Sequence, residues 1–121
     1  MMIFVGKYKE FNPGKDYPSV RNFFSSEKYN GQDKIAYYLR HGKKDLVSSQ
    51  IPKDVISGET IKMEKIGMND GVYTWFNTLA YYVEKYNLRL PKEFEDHILS
   101  QQWCMIITAD QIHCMGGYNP K

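Results

Sequence analysis

The chain has 121 residues, 42% of them hydrophobic and 25% charged, with a formal charge of only +2. That size fits one domain over 1–121 and is enough to bury a core without disulfides or metal. The small charge excludes the strong basic footprint of a dedicated nucleic-acid binder, and no stretch reaches the ~18 apolar residues of a membrane span. Residues 1–60 carry 10 basic against 7 acidic side chains and residues 61–121 carry 6 against 7, so the chain is only mildly polarised. Ten tyrosines contribute to an aromatic content of 15%. Their apolar bodies and polar tips suit a small core, a binding surface, or both.

The start, "MIFVGKYKEF", reads as an apolar and then alternating strand. No basic region or cleavage site marks it as a signal peptide, so a cytoplasmic protein is expected. "NPGKDYP" is turn chemistry. Ser19 is placed to cap a short helix through "VRNFFSSEKY", with Val20, Phe23 and Phe24 on one face. Beyond Gly31, "QDKIAYYLRH" sets Ile35, Tyr38 and Leu39 at helical spacing, with Arg40 and His41 in the last turn. Gly42 fits the left-handed position that ends such a helix.

The middle is strand-like. "KDLVSSQI" stops near Pro52, and "DVISGETIKMEKIGM" predicts a hairpin turning at Ser57-Gly58-Glu59. Ile61, Met63 and Lys65 fall on one face of its second arm. Asn69-Asp70-Gly71 is a further turn. "VYTW" is a short strand or leads directly into a helix, with Thr74 as the predicted N-cap.

Phe76, Leu79, Tyr82, Val83 and Tyr86 then recur at helical spacing, and Asn87 is suited to end that helix. Pro91 fits the start of the next helix, with Glu93, Glu95 and Asp96 in its first turns and Phe94 and Ile98 facing inward. Joined by "NLRL", the two helices predict an αα-hairpin with Leu79, Tyr82, Val83, Phe94 and Ile98 in the core. "WCMIITADQIHCMGGYNPK" starts as a buried strand and ends in a loose tail at 116–121. The fold class expected is α+β: a small, mainly antiparallel sheet packed with three or four helices.

Catalytic chemistry finds little support in the sequence. Cys104, His113 and Cys114 lack the close ligand pair and the four-ligand count of a zinc site, so free thiols and no metal or cofactor are expected. His41, His97 and His113 have no nucleophile elbow, cysteine active-site turn or phosphate loop to serve. The basic cluster "HGKK" at 41–44 has no stacking aromatics at the spacing of RNA-binding motifs. Tyr81 and Glu84 lie off the apolar stripe of their helix. With Glu93, Glu95 and Asp96, and extended by Asp70, they form the candidate partner-binding set.

"NDGVYTW…LAYYVEKYNLRLPKEFEDHIL", with "KIAYYLRHG" and "SGETI" before it, resembles small bacterial immunity proteins of polymorphic and contact-dependent toxin systems. The likeness spans about residues 34–99. It implies a non-enzymatic protein that binds a cognate protein toxin and blocks its active site or substrate path, without contacting nucleic acid or membrane directly. If that toxin is a nuclease, acidic side chains can mimic phosphate at its basic site. A different class is a small nucleic-acid-binding regulator or small enzyme working through His41 and the adjacent basic cluster.

Overall fold

The computed structural model describes residues 2–100 and, as backbone alone, two strands at 104–108 and 111–114. The expected tail at 116–121 lies outside the described residues. In chain order the elements are β1 (Ile3–Phe4), a single 3-10 turn (Val20–Phe23), α1 (Gln32–Arg40), β2 (Lys43–Val47), β3 (Ile66–Asn69), β4 (Tyr73–Phe76), α2 (Leu79–Tyr86), α3 (Lys92–Ser100), β5 (Cys104–Thr108) and β6 (Gln111–Cys114). The main sheet runs β1-β4-β3-β2, with β1 parallel to β4 and the other pairs antiparallel. Among the described residues it is a small mixed sheet with three α-helices, an α+β fold. β5 and β6 pair separately as an antiparallel ladder with Cys104 opposite Cys114. Among the described residues no helix is long and apolar enough to cross a membrane.

The β3–β4 turn is built by its own side chains. Asp70 Oδ1 accepts from Val72 N at 2.9 Å and Tyr73 N at 2.6 Å, Asn69 Oδ1 accepts from Gly71 N, and Gly71 takes φ 88°. Such local acceptors and a left-handed glycine are what close a tight turn. The hairpin sets Met68 opposite Trp75, both buried on the face that meets the helices. Trp75 Nε1 donates to Leu39 O at 2.8 Å, and its ring packs 5.5 Å from Phe94 and 5.7 Å from Tyr38. Sheet, α1 and α3 therefore share one core, in which Ile35, Leu39, Val83, Leu88, Phe94 and Ile98 are fully buried.

Several expectations need correction. Thr74 is not a helix cap; it lies within β4, and α2 begins only at Leu79, after Thr78. Pairing of Tyr73–Phe76 with β3 outcompetes their helical spacing. Gly42 is absent from the left-handed glycines; a Cβ there would meet Trp75 Cζ2 at 2.7 Å, so close packing explains it. Gly31, which precedes α1, is the residue with φ 82°. The helix expected from Val20 is one 3-10 turn, although Ser19 does accept from Arg21 N at its start. The N-terminal strand lasts two residues and ends before Gly6 at φ 125°. Gly58 turns the 54–68 segment as expected, yet only an isolated Lys53–Thr60 bridge forms there. Helices α2 and α3 follow one another across Asn87 at φ 55°, but both pack chiefly on α1 rather than on each other.

Candidate functional site

Of the five residues expected to meet a partner, Glu84, Glu93 and Asp96 are exposed, Tyr81 is half-buried and Glu95 is buried. Tyr81, which the apolar stripe of α2 leaves unexplained, donates its hydroxyl to Asp54 Oδ2 at 2.7 Å. Tyr86 donates to the same oxygen at 2.6 Å, and Asp54 Oδ1 accepts from Ile56 N and Ser57 N. Asp54 is 1% exposed. Burial alone would raise its pKa, but these hydrogen bonds favour the charged form and together hold the carboxyl well below the usual range. Tyr82 adds a further tie: its hydroxyl accepts from Val55 N at 3.0 Å and donates to Lys53 O at 3.2 Å. Burial pushes its phenol up to about 12. Three tyrosines of α2 thus clamp the 53–57 loop.

Glu95 is equally internal. Buried at the start of α3, it takes both arms of Arg89 at 3.1 and 2.7 Å and accepts from Leu90 N at 2.8 Å. Glu84 is exposed and pairs with Arg40 of α1, while Asp96 pairs with Lys92 one turn earlier at 2.6 Å. Glu93 is exposed and has no ion pair among the described residues. Glu84, Glu95 and Asp96 thus each have a cationic partner, which weakens the field that would steer a basic partner.

The histidines have local roles. His97 Nε2 lies 2.8 Å from Asp70 Oδ2, the oxygen that also accepts from Tyr38 OH at 2.5 Å. Burial, followed by the Asp70 hydrogen bond, raises the Tyr38 phenol far above its ordinary value. His41 stacks on Tyr37 at 4.0 Å, with Nδ1 2.8 Å from the Tyr37 carbonyl, an end-of-helix arrangement. His113 falls on β6, described as backbone. Every buried side-chain polar atom among the described residues has a partner, so Asp54, Asp70 and Glu95 act as internal struts.

What the sequence reading missed lies on the other face of the sheet. Gly67 has Leu46 opposite it on β2 and Phe76 opposite it on β4, so all three share the face away from Met68 and Trp75. Phe4, opposite Thr74, joins them and meets Phe76 edge-on at 6.4 Å. The stripe ends in a cavity of about 220 Å³ between β1, the 10–12 loop, the 50–61 segment and the start of α2. Its apolar lining includes Phe11, Ile51, Val55, Ile61 and Leu79; Lys53, Lys65, Gln50 and Glu10 supply polar groups. Leu46 is 65% exposed and Ile51 73%. Alternation along β4 hints at Phe76, but no local pattern joins segments this far apart in sequence.

No family model, no curated protein and no solved structure matches this chain.

Proposed function

We propose that this chain is a non-enzymatic immunity-type protein that works in the cytoplasm, binds a cognate protein toxin and blocks its active site or substrate path. The resemblance over residues 34–99 raised this reading, and one structural observation carries it. The Leu46–Gly67–Phe76–Phe4 stripe and the adjoining Ile51 form a partly exposed apolar surface, with the Lys65 ammonium lying over the Phe76 ring. Single exposed leucines are ordinary, but contiguous apolar patches mark interaction surfaces.

The binding surface in this reading is the outer face of the sheet. Of the set expected from sequence, Glu84, Glu93 and Asp96 are the exposed members; they lie on α2 and α3, on the helical side of the sheet. Tyr81 and Glu95 support the fold behind it.

The test is co-expression with the toxic product of a neighbouring gene, followed by a binding titration with the purified pair. Wild-type protein should bind and protect. Leu46→Asp and Ile51→Asp, both at highly exposed positions, should weaken both effects while leaving the circular dichroism spectrum unchanged. Failure of the wild-type chain to bind or protect against any linked toxin would refute the role.

A further inference from the structure

We propose that the 220 Å³ cavity at the end of the apolar stripe takes one apolar side chain of a partner protein, carried beside a carboxylate. This deepens the binding role proposed above and rests on it for the partner's identity.

Size is the first argument. Small-molecule and cofactor sites run to ~300–1,000 Å³, so this cavity is undersized for such a ligand. A single anchoring side chain is a better match, and protein interfaces concentrate their binding energy in anchors of this kind. The lining agrees, because Phe4, Phe76, Leu79 and Ile61 present carbon to whatever enters.

Charge supplies the second argument. Lys53 and Lys65 both line the cavity, and neither has a carboxylate partner among the described residues. Lys65 lies over the Phe76 ring, 4.5 Å from its centroid, with Nζ 3.4 Å from Gln50 Oε1. Its identified contacts are therefore uncharged. Glu10 is the acidic residue of the lining, and its oxygens are already engaged by Ser19 Oγ at 2.5 Å and Val20 N at 2.8 Å. These neutral donors leave Glu10 ionised, so the lining carries two lysines against one carboxylate and is net positive beside its apolar residues. An aliphatic or aromatic side chain flanked by Asp or Glu satisfies both parts, whereas a basic neighbour would face two lysines.

The probes are three blocked tripeptides, Glu-Phe-Glu, Lys-Phe-Lys and Glu-Ala-Glu, titrated into the full ¹⁵N-labelled chain at low salt. Glu-Phe-Glu should bind most tightly and shift the amides of Gly6, Val55 and Phe76. A Lys53→Glu/Lys65→Glu variant should lose at least about tenfold in affinity for it, the order expected for losing close opposite charges, and should now prefer Lys-Phe-Lys. Equal affinity for all three peptides, no binding at millimolar peptide, or shifts confined to another face would each overturn the assignment. Because the peptides need no toxin, the two ideas fail separately. Selective peptide binding without toxin binding would refute the immunity role alone. Toxin binding with unselective peptides would refute the pocket alone.

Discussion

Removing Asp54 should be among the most damaging single changes to this fold. Asp54→Ala takes the acceptor away from two phenol hydroxyls and two backbone N–H groups at once. A hydrogen bond to a charged group contributes roughly 1.5–3 kcal/mol net. Tyr81 and Tyr86 are only half-buried and can recover water, so the four losses do not add in full. A cost of about 3–5 kcal/mol follows, a large share of the ~5–15 kcal/mol that stabilises a typical domain. Tyr81→Phe and Tyr86→Phe should each cost ~1–2 kcal/mol, with coupling in a double-mutant cycle because both donate to one oxygen.

Acid should act through the same group. The folded pKa of Asp54 is depressed below its unfolded value. Its contribution is therefore fully present above the unfolded pKa of about 3.9, and is lost as pH falls from there toward the folded pKa. Urea unfolding followed by tryptophan fluorescence at neutral pH and at steps below pH 5 measures both effects. Asp54→Asn should flatten the acid limb relative to wild type. A loss below about 1 kcal/mol in Asp54→Ala at neutral pH, together with an unchanged acid limb, would refute the clamp.

Gly42→Ala should lower stability by ~1–3 kcal/mol, because the new methyl meets Trp75, which is held to Leu39 O and has little room to shift. An unaltered melting temperature would show that the sheet relaxes around it. Glu95→Ala should cost about 2 kcal/mol, chiefly by leaving the buried Leu90 N–H without its acceptor, since Arg89 is half-exposed and can turn to water. Thermal melts at low and high salt should show this loss nearly unchanged by salt; a loss that salt abolishes would assign the stabilisation to the ion pair instead.

Features that depend on near neighbours in sequence were legible. The i, i+3, i+4 spacing of Ile35, Tyr38 and Leu39 places all three in the core, and Leu79, Tyr82, Val83, Phe94 and Ile98 are likewise buried. Asn87 takes the left-handed conformation, and the Asn69-Asp70-Gly71 turn forms, because each carries its cause within a few residues. Features that depend on distant partners were hidden. Tyr81 is tied to a carboxylate 27 residues away. The helical pattern through Phe76 and Leu79 was real in spacing, yet strand pairing with Gly67 claimed Phe76 first. Glu95 has the first-turn position of a dipole-compensating residue, and only the fold reveals that it closes over Arg89 and Leu90. The cavity was least legible of all, since it exists only where β1, the 50–61 segment and α2 converge.

That convergence makes the tyrosine clamp part of the pocket's mechanism. Tyr82 lines the cavity while its hydroxyl holds Val55 N and Lys53 O, so one side chain both lines the pocket and ties down the backbone of the 53–55 segment beside it. Its ring also packs 5.0 Å from Phe11, another lining residue. Tyr82→Phe keeps that ring and removes both loop ties. The expected stability loss is modest, about 1–2 kcal/mol, because two hydrogen bonds to a partly exposed loop are replaced in part by water. The loss of order in the 53–55 wall should be larger in effect, since an unfixed Lys53 must be immobilised on binding. The Val55 amide should exchange faster with deuterium, and affinity for Glu-Phe-Glu should fall several-fold while the Lys65 contribution persists. Unchanged Val55 protection together with unchanged affinity would show that the 53–55 segment is held by something other than the Tyr82 hydroxyl.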